Sequence, residues 1–399
     1  MRIFFRSLPL VLVLGLGPLA ACGGSDTDGS GGSGASTSSQ SSSGGAGGTG
    51  GDGGSAGTGG DGGSGGNGGD GGSGGGSAEV PPELTFTDPP VDNLADGVKF
   101  AEAVPYGDDP RQVMDVFLPE SSAPTGAIFF FHGGGFVGGS RTSAYSGNAS
   151  ALRRVTSEGV AFITVDYRLL QAAGVETEGV IKSLRDAQRS LQFVRRWAGV
   201  FNVDPARVAV YGSSAGAGTS LWLAYHDDMA VAGGADRIAQ ESSRPRAAAA
   251  LATQSTYDVM RWAPDVFAST YPYVSNELLL GQAALRQMVV QFYGLDGALV
   301  DNANALRAAL ETPELVAYRA DVDMLDLLSA DDPGTFVNNT GANNAPVDPG
   351  FDLLHHPLHA RTLLERAGAV GADFDADIPA FNVDSPTTAM DFLLDQVAQ

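Results

Sequence analysis

One cysteine, five histidines and a shortage of positive charge set the first limits on this chain of 399 residues. Cys22 has no second cysteine to pair with, so no intramolecular disulfide staples the fold. Lys and Arg number 23 against 46 Asp and Glu, a formal charge of −23. No basic stripe or nucleic-acid motif offsets that excess, which makes phosphate backbones and anionic surfaces poor partners and neutral molecules easier ones. The histidines are His132, His226, His355, His356 and His359, and HHPLH alone supplies imidazoles without a matching carboxylate set, so no metal is expected. A long apolar run is also missing. The stretch LPLVLVLGLGPLA at 8–20 falls short of the ~20 residues that span a bilayer comfortably.

That short run follows Arg2 and Arg6 and ends in Leu19-Ala20-Ala21-Cys22, the layout of a cleaved export signal. Leu-Ala-Ala-Cys resembles a bacterial lipobox, which implies diacylation of Cys22 as the mature N-terminus. The expected product is an exported lipoprotein, facing the periplasm or cell surface, that meets the membrane through its N-terminal lipid only. Loss of Arg2 and Arg6 leaves 21 basic residues against 46 acidic, or −25. Residues 23–78 are almost entirely Gly, Ser, Thr, Ala and Asp, with nothing larger than alanine to bury, and read as a disordered tether. Its root-mean-square reach is roughly 40 Å for about 55 Gly-rich residues. Asp52, Asp61 and Asp70 recur at a nonapeptide period like that of calcium-binding β-rolls, but Gly54, Gly63 and Gly72 stand where such a roll needs a large apolar residue.

From residue 79 the composition becomes mixed, and the remaining chain is usual for one α/β domain with an insertion. Strands are predicted over 98–104, 113–118, 127–131, 161–165, 207–211, 247–253 and 334–338. Helices are predicted over 146–158, 178–197, after 214, over 357–366 and at the C-terminus. The alternation implies a mostly parallel central sheet with helices on both faces. Residues 257–333 break it with several helices rich in Leu, Ala, Met and aromatics, among them Trp262, Tyr271, Tyr273, Phe292 and Tyr293. Such an insertion is expected as a helical cap over the C-terminal ends of the strands.

The chain's organising stretch is RVAVYGSSAGAG at 207–218, a buried strand running through a sharp turn into a helix. Gly212-Ser213-Ser214-Ala215-Gly216 fits G-x-S-x-G, in which glycines two residues either side of a serine let backbone approach a tight turn. Upstream, the strand AIFFF delivers into His132-Gly133-Gly134-Gly135, whose glycines can turn successive N–H groups toward one point. Together with Asp166-Tyr167-Arg168-Leu169 and Asp186, these motifs resemble the α/β-hydrolase family in its HGGG-bearing carboxylesterase and lipase branch. The resemblance implies a serine hydrolase of carboxylic esters, with Ser214 forming an acyl-enzyme and the amides of Gly134, Gly135 and Ala215 receiving the oxyanion. The pairing of serine and glycine loop needs no organic cofactor; the substrates the resemblance implies span small acyl esters, acetylated or feruloylated polysaccharides and arylformamides, and the negative charge makes small neutral esters the easier ones.

In that family an acid and then a histidine follow the serine in chain order. Asp352 has the acid's position, ahead of the helix that Pro357 starts, with Asp348 as runner-up. The histidine is expected from the loop before the last helix, yet IPAFNVDSPTT at 378–388 has none. His132 belongs to the glycine loop and His226 ends the nucleophile helix, which leaves LLHHPLHA. Pro357 makes His356 a helix cap and His359 a first-turn residue. The expectation is that His355 or His356 supplies the general base, oriented by Asp352 or Asp348. The competing reading is a catalytically silent domain used as a surface binding module. No feature of the sequence defines an oligomeric state.

Overall fold

The computed structural model describes residues 80–346 and 352–398, so Cys22, the tether and Asp348 lie outside the described residues. Nine strands form one sheet in the order β1-β2-β3-β5-β4-β6-β7-β8-β9. They are β1 (Phe86–Thr87), β2 (Lys99–Pro105), β3 (Val113–Leu118), β4 (Thr125–Phe131), β5 (Ala161–Val165), β6 (Val203–Ser213), β7 (Ala247–Leu251), β8 (Gly334–Asn338) and β9 (Phe374–Asp377). The pairings from β1 to β5 through β3 are antiparallel, and every pairing from β5 to β9 is parallel.

The central strands are apolar on both faces because both faces are covered. Within β4, Ala127, Phe129 and Phe131 enter one core, while Ile128 and Phe130 enter the other. The first core takes Leu184, Ala187 and Leu191 of α2 (Ile181–Arg196) and Leu221 and Leu223 of α4 (Ala215–Tyr225). The second takes Leu152 and Val155 of α1 (Ala149–Ser157) and Leu393, Leu394 and Val397 of α11 (Ala389–Val397). A short α3 (Ala198–Phe201) precedes β6. Five α-helices fall between β7 and β8: α5 (Asn276–Leu280), α6 (Ala283–Phe292), α7 (Ala303–Leu310), α8 (Pro313–Asp321) and α9 (Met324–Leu327). Buried pairs join the two ends of this segment to each other, Arg319 to Asp258 at 2.9 Å and Thr256 to Asp323 at 2.6 Å.

Two strands escape the sequence patterns. In β9, FDAD has one buried residue, Ala376, because it is an edge strand paired only with β8; β1 is a two-residue edge. The helix begun by Pro357, α10 (Pro357–Val370), runs four residues past the expected end and stops at Gly371, whose φ of +78° is the left-handed value of a C-terminal cap.

Candidate active site

Ser214 sits between β6 and α4 with φ 56° and ψ −119°, a region that costs a non-glycine residue on the order of 1–3 kcal/mol. The flanking glycines make the bend possible. A Cβ on Gly216 would lie 1.9 Å from the Phe131 carbonyl oxygen, and one on Gly212 would lie 2.4 Å from the Gly216 backbone. The strain holds the hydroxyl out beyond the C-terminal end of the central strand, at the first turn of α4.

The glycine loop arrives at the same end. Gly133 passes so close that an added Cβ would be 2.9 Å from the Ser213 oxygen and 3.4 Å from the Ser214 Cβ. Gly134 and Gly135 take φ of +114° and +60°, which directs their amides away from the regular chain course. The N–H groups of Gly134 and Gly135 donate to no backbone acceptor among the described residues, and Ala215 opens a helix, where first-turn amides lack intrahelical acceptors. The rest of the motif pins the loop. The His132 ring stacks on Tyr167 at 4.3 Å, its Nδ1–H donates to the Gly133 carbonyl at 2.8 Å, and the Tyr167 hydroxyl donates to the His132 carbonyl at 2.6 Å. Burial lowers the His132 pKa to about 4, so the ring is a neutral prop and no proton carrier. Leu170 N–H holds the Phe136 carbonyl at 2.8 Å, and Asp186 takes a forked pair of bonds from Arg168 at 2.8 and 2.9 Å, fixing the DYRL turn behind it.

His355 meets Ser214, with Nε2 2.8 Å from the serine Oγ. Its Nδ1 lies 2.8 Å from the Asp352 Oδ2. An ionised carboxylate accepts only, so Nδ1 carries the hydrogen and Nε2 is left to take the serine's proton. The other Asp352 oxygen accepts the N–H groups of Leu354 and His355 at 3.0 and 3.1 Å. Partial burial pushes the Asp352 carboxyl up, but the His355 ring and these two N–H groups outweigh it and hold its pKa below the usual carboxylate value.

His356, the other expected base, does not reach the serine. Pro357 holds it in an extended conformation, where it caps α10: Nδ1 accepts the Leu358 N–H at 3.2 Å and Nε2–H donates to the Asn344 carbonyl at 3.1 Å. His359 is also committed, accepting the Ser255 N–H at Nδ1 and donating from Nε2 to the Leu353 carbonyl at 3.0 Å. His226 bonds the Asp321 carbonyl at the far end of α4.

Two residues that no motif marks complete the arrangement. Gln254, in the loop after β7, donates to the Leu354 carbonyl at 2.7 Å, and Asn339, just past β8, donates to the His355 carbonyl at 3.0 Å. With His359, they give three consecutive carbonyls one side-chain donor each, from three different parts of the fold. Their only sequence signal is an amide side chain at the end of a buried strand.

A cavity of about 50 Å³ opens beside Ser214, lined by Gly135, Ala215 and residues of the segment between β7 and β8, including Trp262, Met288 and Phe292. A larger, open depression of about 490 Å³ lies at the N-terminal end of β6, bounded by Arg195, Glu241, Arg244 and Arg246. Among the described residues no group of His, Cys, Asp and Glu is placed to hold a metal ion. The arrangement sets a hydroxyl in contact with an imidazole beside a glycine loop whose Gly134 and Gly135 amides have no backbone acceptor among the described residues, which suits attack on a carbonyl.

Residues 114–293 match the BD-FAE family. A probable isoprenylcysteine alpha-carbonyl methylesterase of Arabidopsis thaliana is 24% identical over 225 residues, 55% of this chain and 43% of that protein. A carboxylesterase of Penicillium expansum is 30% identical over 126 residues, 27% of this chain and 22% of its own. The chain thus spans less than half the length of these curated relatives. A truncated carbohydrate esterase from gut microbiota superposes with a TM-score of 0.50 at 15% identity, over 80% of this chain and 99% of that one, a likeness of fold.

Proposed function

We propose that this chain, whose residues 114–293 match the BD-FAE family, is an α/β-hydrolase carboxylesterase that cleaves small neutral carboxylic esters through an acyl-enzyme on Ser214. The observation that carries the reading is the unbroken run of contacts from Asp352 through His355 to the Ser214 hydroxyl, 2.8 Å at each step, beside the glycine loop. As the Ser214 oxygen bonds to the ester carbonyl carbon, His355 Nε2 takes the hydroxyl proton, and Asp352 steadies the imidazolium. The carbonyl oxygen gains the negative charge and is received by the amides of Gly134, Gly135 and Ala215, each worth ~3 kcal/mol in such a role. Collapse breaks the C–O bond, and the imidazolium hands its proton to the departing alcohol. Water, deprotonated by the same ring, then releases the acid and restores Ser214.

None of these steps calls on an organic cofactor, and the charge of −23 favours uncharged substrates over anionic ones. A fluorophosphonate probe tests the reading directly. The full chain is expected to take one label, on Ser214 by peptide mapping, and Ser214→Ala to take none. A wild-type protein that stays unlabelled would instead be the silent binding module.

A further inference from the structure

We infer that the acyl group accepted at Ser214 is short and apolar, about two to four carbons, and that Met288 and Phe292 of α6 set the limit; this rests on reading Ser214 as the acylated residue. Two ester halves must leave the serine in different directions, and the departing alcohol has to lie against His355 Nε2 to receive its proton. His355 does not line the 50 Å³ cavity, whereas Gly135 and Ala215, on the oxyanion side, do. The cavity therefore takes the half that stays on the enzyme.

Its size is the constraint. A cavity of ~150 Å³ takes the six-carbon ring of benzene, so one of about 50 Å³ admits roughly two or three carbons beyond the ester carbonyl. An aromatic acyl group of about a dozen non-hydrogen atoms does not fit. The walls are mostly rigid. The Tyr257 ring meets Phe136 and Phe292 edge-on at 5.5 and 5.3 Å, Phe136 meets Phe292 at 6.0 Å, and the Tyr257 hydroxyl is tied to the Ala215 carbonyl at 2.9 Å. Tyr293 holds the Tyr257 carbonyl at 2.7 Å from behind. Met288, half-buried and unbranched, is the wall that can be cut back without breaking this ring cluster. No charged side chain lines the cavity, so an acyl group ending in a carboxylate would be desolvated there without a partner.

The test measures kcat/KM of the full chain on p-nitrophenyl acetate, butyrate and octanoate, which share a leaving group, for wild type, Met288→Ala and Phe292→Leu. Wild type is expected to turn over octanoate at least tenfold less efficiently than acetate or butyrate. Met288→Ala should raise the octanoate-to-butyrate ratio at least fivefold, and Phe292→Leu should move it the same way. Octanoate cleaved as well as butyrate by wild type, or a ratio unmoved in both variants, overturns the size limit and leaves the acyl-enzyme standing. No turnover of any ester, with Ser214 also refractory to fluorophosphonate, overturns the acyl-enzyme reading and this inference with it.

Discussion

Removing the Asn339 side chain should slow catalysis without weakening substrate binding, although Asn339 touches neither Ser214 nor the cavity. Its Nδ2–H donates to the His355 carbonyl at 3.0 Å, and its Oδ1 accepts the Gly341 N–H at 2.9 Å, from a side chain that is fully buried. Asn339→Ala leaves the His355 carbonyl without its donor, a deficit of ~1–3 kcal/mol. The loop can relieve it by moving that carbonyl toward water, and the imidazole moves with it. A 1 Å error in the Nε2 position costs ~100-fold in rate, or about 2.7 kcal/mol of barrier, which is within the energy available. The expected result is a fall in kcat of roughly 10- to 100-fold, a KM within about threefold, and a matching fall in the rate of fluorophosphonate labelling. Asn339→Asp preserves shape but opposes an acceptor to an acceptor, and should be no better than alanine at neutral pH. Thermal unfolding of each variant separates positioning from simple loss of fold. A variant with a lowered melting temperature and wild-type kcat refutes the reasoning, because the bond would then hold structure without placing the histidine.

The adjacent histidines should behave oppositely. His355→Ala removes the proton acceptor and should cost ~100- to 10,000-fold in kcat, whereas His356→Ala removes a helix cap and should cost ~1 kcal/mol of stability with little change in kcat; steady-state kinetics with thermal melts on both would expose a reversed assignment. Acid stability should follow the buried imidazoles. Burial lowers His359 from the ordinary 6.5 to about 3 and His132 to about 4. Between those values and 6.5 the unfolded chain binds protons that the folded chain refuses. Their contribution is therefore complete above pH 6.5 and is lost as pH falls toward 3, at up to ~1.4 kcal/mol per pH unit for each ring. His359→Gln should flatten the fall in melting temperature between pH 6.5 and 4, and an unchanged slope would mean the ring does not refuse its proton.

What the sequence revealed and what it withheld divide along a physical line. The serine turn is legible because its geometry is local: with the Phe131 oxygen 1.9 Å from any Cβ at 216, only glycine fits, so the chemistry leaves its mark within five residues. The glycine loop is legible for the same reason. The Leu-His-His-Pro stretch is legible only to the point of a tie, since Pro357 announces a cap at 356 but nothing local says which way the residue before it faces. That direction is decided by donors about 15 and 100 residues away in sequence, Asn339 and Gln254, and by His359 below. None of these leaves a periodic or compositional trace. The expected histidine of the 378–388 loop is absent because acid and base arrive together: Asp352 and His355 are three residues apart on one turn, bonded to each other at 2.8 Å. Two loops need not be brought into register when one turn carries both groups. That single turn must then be held correctly with respect to Ser214, and its three successive carbonyls are each gripped from outside. The buried amide at 339 follows from that concentration of the base and its orienting acid on one short segment, and its loss is expected to be felt at the serine.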